Sequence, residues 1–154
     1  RVLLLDEPTF GVDPISRREL WLIVHGMVAE GVTVIVSTAY MDEAERFDRV
    51  ALLDHGRQVA LDQPAALQNS LDGEILAVDV DRTRAAREFA ARLPEVRRAT
   101  VFGPRLHLTV ANAATDEPKI IAALAAAGHE VSASNVITPS MEDVFIASMM
   151  DQPQ

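Results

Sequence analysis

Arg1–Pro14 reads RVLLLDEPTFGVDP, and this stretch decides the fold. Val2-Leu3-Leu4-Leu5 is a short apolar run that ends in Asp6-Glu7-Pro8. A parallel strand covered on both faces has this unbroken pattern. An apolar strand closing on two acids sets both carboxylates at the C-terminal edge of a sheet, where open α/β sheets bind ligands. Such a pair suits phosphoryl transfer: one carboxylate holds Mg2+, directly or through water, and the other polarises an attacking water. Alone the pattern is weak, because neighbouring acids at a strand end are commonly only a solvated terminus.

Downstream, Gly11-Val12-Asp13-Pro14 is turn chemistry, and Ser16 with Glu19 has capping-box spacing for a helix that Gly31 stops. Thr33 to Thr38 reads as a second buried strand, Met41 to Phe47 as a short helix, and Arg49 to Asp54 and Arg57 to Leu61 as strands joined by a His55-Gly56 turn. The alternation predicts a parallel α/β sheet. Pro, Asn, Gly and Asp cluster at Gln63 to Gly73, where a domain boundary is expected. The pattern then restarts: strand Ile75 to Val80, helix Arg82 to Leu93, strands Arg97 to Phe102 and Leu106 to Val110, helix Glu117 to Ala127, strand Glu130 to Ile137. This β-α-β-β-α-β order is the split βαβ, ferredoxin-like arrangement. A last helix starts at Pro139-Ser140 with Glu142-Asp143 in its first turn.

Composition narrows the function. With 49% hydrophobic and 24% charged residues, the 154-residue chain is neither disordered nor fibrous. Its 23 acids against 14 bases give a net charge of -9, which argues against nucleic acid as a partner and against broad binding to an anionic membrane. No cysteine is present, which excludes disulfides, zinc-thiolate sites and thiol catalysis. No apolar run reaches the roughly 18 residues of a membrane span. The chain opens on Arg1 with no basic-then-apolar leader, and its start on a buried-type strand leads to the expectation of further chain upstream.

Together with RVLLLDEPTFGVDP, the run VIVSTAYMDEAE at Val34–Glu45 and the later DRVALLDHGRQVALDQPAAL closely resemble the nucleotide-binding subunits of ABC transporters over roughly the first 70 residues. In that resemblance VLLLDE is the Walker B strand, GVD the D-loop, STAYMDEAE the segment that normally bears the switch histidine, and DRVALLDHGRQVALDQPAAL the hairpin and helix that follow. The resemblance implies that Asp6 binds Mg2+, that Glu7 is the general base or water-orienting carboxylate, and that Asp13 lies in the loop facing a second ATP-binding subunit in a head-to-tail dimer. The rest of the chain is similar to the C-terminal extension of the ABC-2 class of drug-efflux and antibiotic-resistance exporters, which ends in a segment like Pro139-Ser140-Met141-Glu142-Asp143-Val144-Phe145. The implied fold is the C-terminal part of a P-loop NTPase parallel sheet (residues 1–70) followed by a small ferredoxin-like α+β domain (residues 74–150). The implied cofactors are ATP and Mg2+. The implied partner is an ABC-2 transmembrane permease, which would hold the subunit at the inner face of the cell membrane, peripheral and cytoplasmic.

The departures from the family matter as much. The phosphate loop GxxxxGK[ST] is absent, the single lysine is Lys119, and the Gln loop and LSGG-type signature are missing. The chain therefore resembles the C-terminal part of a longer subunit and is expected by itself to bind ATP poorly or not at all. The switch position is Ala39, fixed by the frame Ser37-Thr38-x-Tyr40-Met41-Asp42-Glu43-Ala44. Losing one charge-stabilising donor lowers a rate by ~10²–10³. Three explanations stay open: an inactivating change, a degenerate site paired with an intact one in a heterodimer, or catalysis resting on Glu7 and upstream elements. Phe10 stands where the family usually has a small residue, and crowding of the D-loop is the expectation.

The other chemistry-bearing residues read as structural. His25, His55, His107 and His129 show no metal-ligand spacing. Trp21 and Tyr40 suit packing, and Asp42-Glu43 a favourable helix start. Arg82, Arg84, Arg87, Arg92, Arg97 and Arg98 form a basic cluster, by default a solvated face and otherwise a contact for an acidic partner or lipid headgroups. The rival to the ATPase reading is a non-enzymatic regulatory or dimerisation module acting through the ferredoxin-like half.

Overall fold

A computed structural model describes residues 1–150. They divide into two compact units, Arg1–Asp48 and Arg49 onward.

In the first unit, β1 (Val2–Asp6) and β2 (Thr33–Ser37) run parallel, with Val2 opposite Thr33 and Asp6 opposite Ser37. The crossover is α1 (Pro14–Ala29). It begins ahead of the Ser16–Glu19 spacing, because Asp13 rather than Ser16 is the N-cap. The Asp13 carboxylate accepts from the backbone N–H of Ile15 at 3.0 Å and of Ser16 at 3.1 Å. Pro14 follows at the first helical position, where its fixed φ suits the helix. Trp21 and Val24 are buried, and Trp21 meets Phe47 edge-on at 5.3 Å. After β2 the helix α2 is short, Met41–Ala44, and the chain continues to Phe47 in turns.

Within the described residues, β1 and β2 are covered on one face. Leu3, Leu5, Val34 and Val36 are partly buried, whereas Val2, Leu4 and Ile35 are exposed, Leu4 to 71%. Two strands with a single long helix have only one covering layer. Nor do the next strands extend this parallel pair. β3 (Val50–Asp54) and β4 (Arg57–Asp62) form a separate antiparallel hairpin. Its turn needs positive φ at His55 (47°) and Gly56 (76°), the signature of a primed two-residue turn.

The hairpin belongs to the second unit. The Pro/Asn/Gly-rich stretch after it holds a helix, α3 (Pro64–Asn69), which buries Pro64 and Leu67. The following elements are β5 (Glu74–Val80), α4 (Thr83–Ala90), β6 (Val96–Phe102), β7 (Arg105–Val110), α5 (Ala113–Ala126), β8 (Val131–Ile137) and α6 (Met141–Met150). The sheet order is β6-β7-β5-β8, with every neighbouring pair antiparallel. One face of the strands supplies Leu76, Val78, Leu106 and Leu108, which pack with Ala86 and Ala90 of α4 and with Ile120 and Leu124 of α5. Burying each large apolar side chain contributes about 1.5–3 kcal/mol. The alternate residues Ile75 and Ala77 are also buried, and α6 buries Met141, Val144 and Ala147. His107 of β7 pairs with Asp143 of α6 at 3.0 Å. Gly73, at φ 107°, enters β5 so close to β7 that a Cβ would stand 2.4 Å from the Val110 carbonyl oxygen. Among the described residues no helix is long and apolar enough to cross a membrane.

Candidate functional site

The register of β1 against β2 builds the site. Asp6 is opposite Ser37, and the Ser37 hydroxyl donates to an Asp6 carboxylate oxygen. Glu7 follows in the left-handed region at φ 45°. For a residue with a side chain this costs about 1–3 kcal/mol and is found where surrounding contacts over-determine it. Here the Glu7 N–H donates to the Ser37 carbonyl at 3.1 Å and approaches the Ser37 hydroxyl oxygen at 3.0 Å. The turn throws the Glu7 side chain toward the segment after β2, and the Ala39 N–H donates to Glu7 Oε2 at 3.2 Å. Asp6, Glu7 and Ala39 are thus brought together. Asp6 and Ala39 are exposed and Glu7 is half-buried, so the cluster stays accessible to solvent and solute.

Asp13 lies elsewhere, capping α1 with an exposed carboxylate. Hydrogen bonds from the Ser16 side chain and backbone hold its carboxyl below the usual range. Phe10 is 77% exposed and does not crowd the loop.

The layer beneath the site is hidden from the sequence. Glu43 is 3% exposed and Thr9 0%. Glu43 Oε2 accepts from Thr38 Oγ1 at 2.8 Å and from Thr9 Oγ1 at 3.0 Å. Glu43 Oε1 accepts from Trp21 Nε1 at 3.1 Å. Arg17 Nε stands 3.7 Å from the same oxygen, and its guanidinium lies 4.3 Å over the Tyr40 ring. Trp21 is therefore a hydrogen-bond donor as well as packing. Within an acidic run, nothing local separates the inward Glu43 from the outward Asp42. The only signal is its place next to the apolar Ala44, which is also buried.

Among the described residues no group of three His, Cys, Asp or Glu is placed to hold a metal. The acidic pair thus stands at a strand end, with Glu7 turned toward the next strand's exit loop. Residues 63–149 match the family described as ATP-binding protein DrrA1-3-like, C-terminal domain. The chain belongs to this family. It is 36% identical over 148 residues to the probable multidrug ABC transporter ATP-binding protein YbhF of Escherichia coli (strain K12), a match covering 95% of this chain and 25% of that one. It is 34% identical over 151 residues to the daunorubicin/doxorubicin resistance ATP-binding protein DrrA of Streptomyces peucetius, covering 95% and 46% respectively. A Nod factor export ATP-binding protein I of Burkholderia orbicola (strain AU 1054) is 37% identical over 106 residues, covering 66% and 35%. The chain spans less than half the length of these relatives.

Proposed function

We propose that this chain is the C-terminal portion of the ATP-binding and ATP-hydrolysing subunit of an ABC-2-type exporter of drug-like compounds. The observation that carries the reading is the 3.2 Å hydrogen bond from the Ala39 N–H to Glu7 Oε2, which joins the strand-end acids to the switch-like turn. Asp6 holds Mg2+, through water or directly. The donor set fits: carboxylate and hydroxyl oxygens at an exposed strand end suit a hard cation that keeps waters and takes its other ligands from phosphates. When bound, the metal neutralises charge on the phosphate oxygens. Glu7 orients the attacking water and accepts its proton, while the Ala39 N–H fixes the carboxylate's direction. Asp13 faces a second ATP-binding subunit in a head-to-tail pair. Phosphate-gripping elements outside these residues complete the site.

Residues 1–70 are a partial nucleotide-binding domain and residues 74–150 a ferredoxin-like appendage. Support for the appendage comes from the β6-β7-β5-β8 order, the antiparallel pairing and the two helices α4 and α5 against one face. The subunit works beside a membrane-spanning permease and sits at the inner face of the cell membrane.

Thermal unfolding with and without Mg-ATP tests this reading. The 154-residue chain alone should show no shift. A subunit joining it to a GxxxxGK[ST] loop should show a shift that Asp6→Asn diminishes. A shift indifferent to Asp6→Asn would contradict the reading. Self-association with no nucleotide shift in either protein would favour a dimerisation module.

A further inference from the structure

We infer that Glu43 is a positioning residue that sets the geometry between Glu7 and the backbone of residue 39. It does not touch the candidate site itself. It grips both loops that form it. Through Thr9 it holds the chain two residues beyond Glu7, and through Thr38 it holds the residue before Ala39. Thr38 Oγ1 in turn accepts from the Tyr40 N–H at 3.1 Å, so the residues on both sides of Ala39 are fixed to one hydroxyl. Trp21 Nε1 anchors the other carboxylate oxygen to α1. A carboxylate suits this node because it offers acceptors to all three donors and needs none itself. A glutamine would offer one acceptor and two donors. The buried carboxylate also has its countercharge nearby in Arg17, which stacks on Tyr40 in the same turn. With Thr9 and Glu43 sealed from solvent, movement of either loop breaks buried hydrogen bonds. The Ala39 N–H therefore stays aimed at Glu7 without help from a side chain at position 39.

The inference rests on reading Glu7 as the water-orienting carboxylate, and the test keeps the two apart. Amide exchange at Ala39 is read by nuclear magnetic resonance in the 154-residue chain. The indole N–H of Trp21, the single tryptophan, serves as the control for packing. Thr38→Val removes the hydroxyl that joins Glu43 to the Tyr40 N–H and should speed Ala39 exchange at least about tenfold, to the rate in Glu7→Ala, with the Trp21 resonance unmoved. Thr38→Ser should restore protection. If Thr38→Val displaces Trp21, Thr38→Ala with the same serine rescue gives the reading. Unchanged Ala39 protection in a variant lacking the hydroxyl overturns the inference. In a subunit that hydrolyses ATP, Thr38→Val should lower kcat about tenfold with KM for Mg-ATP unchanged. Turnover insensitive to Glu7→Gln would instead sink the nucleotide-site reading, while the exchange result would still decide whether Glu43 positions the pair.

Discussion

Glu7 and Ala39 meet through a hydrogen bond in which position 39 contributes only backbone: its N–H lies 3.2 Å from Glu7 Oε2. The side chain at that position is free of structural duty. Replacing it should not disturb the contact. Ala39→His, assayed in a subunit bearing the phosphate loop, should therefore raise ATP turnover by at least about tenfold, because it adds a donor next to an intact carboxylate. Unaltered turnover would mean that the alanine is matched to other catalytic elements.

The buried Glu43 accepts from three side-chain donors, so its removal should be felt throughout the first unit. Glu43→Ala should cost about 3 kcal/mol, the scale of breaking a buried charged network. Urea unfolding followed by Trp21 fluorescence reads this, since Trp21 lies within the unit. A loss under about 1 kcal/mol, on the scale of an exposed pair, would show that water replaces the network.

Asp13 combines a cap with a proposed role toward a second subunit, and two substitutions separate them. Asparagine caps as well as aspartate, whereas alanine does not. Asp13→Ala should lower the stability of the first unit by about 1 kcal/mol and Asp13→Asn by little, both read by Trp21 fluorescence. In an assembled ATPase, Asp13→Asn should still lower turnover if the carboxylate's charge serves the partner.

Asp143 gives the second unit an acid limit. Burial alone would raise its carboxyl, but hydrogen bonds from His107 and from the Ser140 backbone and side chain outweigh that and hold it below the usual value of 3.8. A carboxyl depressed in the folded state stabilises fully above its unfolded pKa, and the contribution is lost as pH falls through the folded value. The second unit should thus lose stability from about pH 4 downward. Asp143→Asn should lower stability at neutral pH and flatten this slope, as measured by circular dichroism. An unchanged slope would place the acid sensitivity elsewhere, with Asp79 and its partner Arg105 as the next pair to replace.

Much of the fold is legible in the sequence for physical reasons. Continuous or alternating apolar runs locate the strands, and β5 to β8 differ from their expected bounds by about a residue. Helix starts are harder to read. Asp13 and Asn112 cap α1 and α5 ahead of the apolar periodicity, where Ala113-Ala114-Thr115 offers no pattern. The β3–β4 hairpin is legible from its His55-Gly56 turn, whereas its standing as a two-stranded sheet of its own is not, because a strand's partners are a long-range fact. At the site, Asp6 and Glu7 stand out because two acids end an apolar run. Ser37, Thr9 and Glu43 do not, because their roles depend on the β1–β2 register and on which side of a one-turn helix faces inward.

The most direct test is steady-state hydrolysis of Mg-ATP by a subunit uniting this chain with a GxxxxGK[ST] loop and an LSGG-type signature, measured for the unaltered sequence and for its Glu7→Gln variant. If Glu7 orients the attacking water, Glu7→Gln lowers turnover by ~10²–10³ while ATP binding persists. Equal turnover in the two proteins would contradict that role.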